Sequence, residues 1–200
     1  MTKIISLFIQ GGPIMWPLLV VSVVASTVVL ERIVFIVRER IRRQPDVVDE
    51  ILTRVEKRDL SGAVAVGKAS TDFVARAITY ALTHREKSFS TAMLRSAMWE
   101  MKRFNRGLSV LDTTITLAPL LGLLGTVVGM IRSFGLLGGA ELGAPTEITG
   151  GIAEALIATA YGLGIAILAL LPFNYVNGRQ EEARIEMQDA ASHVEIHLKD

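Results

Sequence analysis

The chain has 200 residues, half of them hydrophobic, with a formal net charge of +1 and no cysteine. Its mean hydropathy of +0.43 is high for a water-soluble domain, and its near-neutral balance offers no basic field for nucleic acid. Disulfides, thiolate catalysis and cysteine metal sites are excluded, and three histidines leave little for a metal centre.

Residues 3–10 (KIISLFIQ) are mostly apolar but too short to span a bilayer, and Gly11, Gly12 and Pro13 break any helix after them. Residues 1–12 therefore read as a segment lying on the membrane surface. Lys3 fits the start of a signal peptide, but the following apolar run is too long and lacks a small-residue cleavage site. Residues 13–43 form a first span and its extension, apolar over 14–30 and again over 33–37. Pro17 sits in the opening turn, where a missing N–H costs least. Arg32, Arg38, Arg40, Arg42 and Arg43 close the span, with side chains long enough to reach headgroups and to set topology.

Residues 44–107 change to the pattern of a soluble helical domain. Pro45 and Asp46 open a helix with Val47, Val48, Ile51, Leu52 and Val55 on one face. Asp59 or Ser61 restarts a short helix, and Thr71 or Asp72 caps another that buries Phe73, Val74, Ala77, Ile78, Ala81 and Leu82. Ser90 begins a longer helix that runs into the next span with no breaker stronger than Gly107.

Residues 108–178 hold two uncharged apolar runs, TTITLAPLLGLLGTVVGMI (113–131) and ALIATAYGLGIAILALLPFNYVNG (155–178), joined by a Gly-rich turn over 133–149. A helix needs about 20 apolar residues to cross a hydrocarbon core of roughly 30 Å, so these form a transmembrane hairpin. Ala118, Gly122, Gly125 and Gly129 fall within about 60° of one another on the first helix. Gly151, Ala155, Ala158, Gly162 and Ala169 form a matching stripe on the second. Such stripes let helix backbones approach closely in lipid. Residues 179–200 alternate charge with Ala183, Met187, Ala190, Ala191, Val194 and Leu198, an amphipathic helix leaving the membrane.

Glu154 lies on one flank of the second stripe and Thr159 on the other. An acid at the bilayer centre costs about 2.5–3.5 kcal/mol. Either it lies near the outer headgroups, with its helix starting near Thr146, or it faces protein and lines a pore. The small residues beside it favour the pore. Thr126 and Thr159 either bond their own helix carbonyls or line the same path. They do so from two sides, because Glu154 and Thr159 stand about 140° apart on a helix. Asp112 reads as an interfacial anchor. His193 and His197 stand one turn apart in HVEIH but lack the placement of a zinc-protease motif, so a solvated helix face is expected there.

Basic residues concentrate in the 44–111 segment and its flanks, against Lys3 alone before the first span and Arg132 alone at the hairpin turn. The N-terminus and the turn are therefore expected outside, with the middle domain and C-terminus cytoplasmic.

Three stretches, GGPIMWPLLVVSVVASTVVLER (11–32), APLLGLLGTVVGMIRSF (118–134) and GIAEALIATAYGL (151–163), resemble the ExbB/TolQ/MotA family of proton-channel subunits, most closely its ExbB-like members. Their order and spacing agree too, over nearly the whole chain. The resemblance implies an all-α fold with three transmembrane helices and long cytoplasmic helical extensions, set in a bacterial inner membrane. It further implies a homopentamer around an ExbD/TolR-like single-span partner, with a TonB-like protein beyond it. Separately, the residues assemble no nucleophile, base and orienter and no nucleotide loop, so no catalytic residue and no cofactor are expected. Glu154 falls on the family's third-helix acid, Thr159 on the hydroxyl of that helix and Thr126 on that of the second. One departure is visible: relatives often carry a proline near Ile167 or Leu168, whereas here it is Pro172. A non-conducting membrane scaffold is the alternative, needing the same helix contacts but no Glu154.

Overall fold

The computed structural model describes residues 2–85, 88–135 and 145–199. Among these it contains eight helices and no strand: α1 (Thr2–Gln10), α2 (Met15–Ile41), α3 (Pro45–Glu56), α4 (Leu60–Ala69), α5 (Phe73–Thr83), α6 (Phe89–Asn105), α7 (Leu108–Gly135) and α8 (Pro145–Lys199). Residues 136–144 of the expected hairpin turn lie outside the described residues. Two compact units emerge, one of Met1–Glu31 with Gly107–Asn174, the other of Arg32–Arg106 with Tyr175–Asp200.

In the first unit, many buried positions are small, with Ala118 and Ala158 fully enclosed alongside Met15, Leu18 and Leu111, whereas the large side chains of Ile131, Leu168 and Leu171 are 66%, 72% and 66% exposed. Water would penalise such a surface; hydrocarbon solvates it, and helices in lipid associate by close backbone packing instead. Among the described residues three stretches are long and apolar enough to cross a membrane: Met15–Ile41, Leu108–Gly135 and Thr149–Leu198. The chain is thus an all-α, polytopic membrane protein with three spans and a long C-terminal helix. Pro172 lies inside α8 and has no N–H to give the carbonyl of Leu168.

The second unit is a helical bundle around Ile51, Val55, Ile78, Leu82, Met93 and Phe104, joined by Met187 and Val194 of α8. Asp72 caps α5. Its fully buried carboxylate accepts from the N–H groups of Val74 (2.8 Å) and Gln44 (2.8 Å) and pairs with Arg43 at 3.2 Å. Asp59 caps α4, accepting from the N–H of Gly62. That bond and the Ser61 hydroxyl hold its carboxyl below the usual carboxylate range. Arg32 is buried rather than directed at headgroups: its guanidinium donates to the carbonyls of Arg103 (3.1 Å) and Phe104 (3.2 Å) in the last turn of α6. Those are carbonyls a helix end leaves unpaired.

The turn expected over 133–149 is entered and left by helix, since α7 runs to Gly135 and α8 starts at Pro145, and two boundaries elsewhere also differ from the sequence expectation. The helix expected from Ser90 begins at Phe89, because the Ser88 side chain accepts from the N–H of Thr91. It does not run on into the second span. Gly107 takes φ +78°, a left-handed conformation that glycine enters freely. The chain turns there before α7 starts, with the Gly107 carbonyl accepting from Val110 and Leu111.

Candidate functional site

The site grows from the contact between α7 and α8. A Cβ built on Gly129 would lie 2.8 Å from the Gly151 carbonyl oxygen, and one on Gly122 would lie 3.0 Å from the Thr159 Cα. One on Gly162 would lie 2.5 Å from the Ala118 carbonyl oxygen. Partners on α8 therefore rise in number as those on α7 fall, so the two helices run antiparallel with backbones nearly touching. Ala118, Gly122, Gly125, Gly129, Ala158 and Gly162 are all buried along this line. The N-terminal end of α2 packs on the same seam, with Met15 and Leu18 enclosed beside Ala118. Ile14 approaches Gly125.

Glu154 lies at one end of the seam, its side chain 22% exposed. Its Oε1 accepts from Arg132 Nη1 of α7 at 3.1 Å. On another side lies the backbone of Gly12, between α1 and α2. Gly12 takes φ +72°, which favours glycine, and a Cβ there would overlap the Glu154 carboxyl and make that side chain turn away. Phe8 stacks edge-on against Trp16 at 5.5 Å between centroids, fastening α1 to the start of α2 next to this turn. An ion pair this open contributes about 0–1 kcal/mol in water. Against apolar surroundings the same contact offsets the charge of both partners, where a lone acid is costly.

The two threonines differ. Thr159 donates across the helix contact to the carbonyl of Gly122 at 2.9 Å and lies 3.3 Å from its own helix's Ala155 carbonyl. Thr126 donates within α7 to the Leu123 carbonyl at 2.6 Å. Glu154 and Thr159 are not in contact through any described hydrogen bond. Asp112 is exposed. Arg132, which sequence reasoning used only as a topological charge, and Gly12, used only as a breaker, are the additions the structure makes around Glu154. Aligning the two small-residue stripes in antiparallel register brings Arg132 towards the turn that holds Glu154, a signal present in the sequence.

An ionisable group seated among closely packed spanning helices defines a class: multi-pass α-helical membrane proteins that carry polar function inside an apolar scaffold. The chain belongs to the MotA/TolQ/ExbB proton channel family, whose model matches residues 65–189, including Thr126, Glu154 and Thr159. It is 37% identical to an ExbB-like biopolymer transport protein of Synechocystis sp., across 97% of this chain and 78% of the relative. It is 35% identical to the biopolymer transport protein ExbB of Neisseria gonorrhoeae over 53% of this chain and 48% of that protein. With the Tol-Pal system protein TolQ of Haemophilus influenzae it shares 39% identity over 40% of this chain and 35% of that one. The family is one of proton-channel-type transport subunits, not of enzymes.

Proposed function

We propose that this chain is the channel-forming subunit of an ion-driven machine in a bacterial inner membrane, with its N-terminus periplasmic and its C-terminus cytoplasmic. It assembles as a homopentamer around an ExbD/TolR-like single-span partner. Ion flow drives relative motion, which the partner delivers as energised transport across the outer membrane through a TonB-like protein, or as envelope maintenance. The observation that carries this reading is Glu154, an acid set between the Gly12 turn and Arg132 within small-residue helix contacts. An arriving proton neutralises the carboxylate and releases Arg132; its departure restores the pair. Thr159 and Thr126 offer hydroxyls along α8 and α7, and the small residues from Ala118 to Gly129, with Ala158 and Gly162, hold the hairpin closed around the path.

A scaffold without conduction is the second reading, favoured by the bond from Thr159 to Gly122 and the Arg132 pair, which also serve as plain packing contacts. Substitutions at Glu154 separate the two. For a proton path, Glu154→Gln keeps shape and hydrogen bonding but cannot ionise. It should abolish partner-dependent ion flux in vesicles as Glu154→Ala does, at normal oligomer yield, while Glu154→Asp retains part of it. For a scaffold, Gln is the best replacement and Ala loses the oligomer. Parental flux through Glu154→Gln would sink the conduction reading.

A further inference from the structure

Away from the spanning helices, the second unit brings together three side chains that neither the channel function nor the family resemblance uses. Glu56 is the last residue of α3; His193 and His197 lie one turn apart near the end of α8. The carboxylate oxygen and one ring nitrogen of each histidine all lie within 4.8 Å of one another. His193 Nε2 is 2.8 Å from Glu56 Oε1, although the two residues are 137 apart in sequence. The histidine rings stack at 4.8 Å between centroids, with 28° between their planes.

Two features make this more than a chance meeting of surface groups. The backbones that carry the three residues are fixed, because Ile51 and Val55 of α3 share a buried core with Ala190 and Val194 of α8. Each ligand is thus one to three residues from a fully packed position, Val55 or Val194. The second feature is the tautomer of His197. Its Nδ1 lies 2.9 Å from the carbonyl oxygen of His193 and can reach it only by donating. In the neutral ring that places the proton on Nδ1 and leaves the Nε2 lone pair for a metal. Metal-binding histidines are oriented and tautomerised by such a bond from their other nitrogen.

We propose that Glu56, His193 and His197 form a binding site for a first-row divalent metal, Zn²⁺ foremost. Two imidazoles and one carboxylate are the borderline donor set that Zn²⁺ takes in three-ligand sites, with a fourth position left to water. Zn–N and Zn–O bonds of about 2.0–2.2 Å need the three groups to close inward by side-chain rotation only, since exposed side chains (37% for His193, 44% for Glu56) have room to turn. Bound metal displaces the proton that His193 Nε2 donates to Glu56, which passes to Nδ1 of the same ring or to solvent. Two coordinate bonds in place of that hydrogen bond tie the end of α3 to the last turns of α8. The site takes the metal from the phase that bathes the second unit, and conduction at Glu154 is not required for it.

The test uses the full-length protein in detergent, purified without a polyhistidine tag and stripped with chelator. Zn²⁺ is titrated in competition with a chromophoric chelator, and Co²⁺ is added separately to read coordination from its visible spectrum. One Zn²⁺ per chain is expected, together with a Co²⁺ spectrum of the intense four-coordinate kind and a higher melting temperature when metal is present. Glu56→Gln and His197→Gln should each weaken Zn²⁺ by at least about tenfold while melting like the parent without metal. His84→Gln, altering a histidine stacked on Tyr80 elsewhere in the unit, should bind as the parent does. Should either variant lower the metal-free melting temperature, the other still decides. No saturable Zn²⁺ site in the parent, or equal affinity in Glu56→Gln, His197→Gln and parent, would overturn the proposal.

Discussion

Gly162→Ala adds one methyl group where α8 crosses α7, and the structure sets the consequence. The new Cβ would stand 2.5 Å from the Ala118 carbonyl oxygen and 3.1 Å from the Gly122 Cα, against about 3.4 Å for ordinary contact. Both obstacles are backbone, so no side chain can swing aside. The helices must part by about 0.9 Å at that level. Parting loosens the Thr159 bond to Gly122, one turn away, worth about 0.6 kcal/mol by the average for interhelical bonds in membranes. Overpacking of this kind costs about 1–3 kcal/mol, of which about 0.5–1 is returned by alanine's better helix propensity. Gly164→Ala is the control, two residues along the same helix, with nothing within 4 Å of its Cβ. Thermal unfolding of purified protein should show Gly162→Ala lowered by several degrees, at about 2–4 °C per kcal/mol for a chain this size. Gly164→Ala should match or exceed the parent. If Gly162→Ala melts like the parent, the backbones are not in the contact described and the seam is held by something else.

Asp72→Ala should be among the most damaging changes in the bundle. It removes the cap of α5, the acceptor for Gln44 N–H and the partner of Arg43 at once. The expected loss is about 2–4 kcal/mol, read by denaturant unfolding, with Asp72→Asn intermediate because it keeps an acceptor oxygen. A loss below that of an exposed-site control such as Thr53→Ala would refute the capping role. Thr159→Val and Thr126→Val should part company in the melt. The first breaks a bond between helices and lowers stability, while the second removes a bond satisfied within α7 and leaves it unchanged. Impaired flux in Thr126→Val at parental stability would then mark its hydroxyl as part of the path, and parental flux would mark it as self-satisfied.

Much of the fold was legible because lipid simplifies the rules. Three apolar runs of sufficient length named the spans, and the four-three-four spacing of small residues named the faces that meet, since only small side chains permit backbone contact. The cap at Asp72 was one of two candidates and the structure selects it, because only its carboxylate reaches the N–H groups of Val74 and Ala75. What stayed hidden depends on long-range pairing or on single dihedral angles. Arg32 looked like a headgroup anchor, yet its guanidinium donates to carbonyls 71 and 72 residues away. Gly107 looked too weak to end a helix; a positive φ does so, and periodicity carries no trace of that angle. Around Glu154, the Arg132 contact depends on the antiparallel register of two helices, and the Gly12 contact on a third segment folding back against them. A Glu56 partner for the HVEIH histidines was likewise out of reach of any local pattern.

The central claim is that Glu154 gives up and regains a proton during ion flow. Difference infrared spectroscopy reads this directly, in proteoliposomes holding the chain with the single-span partner proposed above, before and after a pH gradient is imposed. The account predicts a protonated-carboxyl band that changes when flow begins, shifts with deuterium, and is absent from Glu154→Gln. Flow that proceeds with no such band, or with the same band in Glu154→Gln, would contradict it.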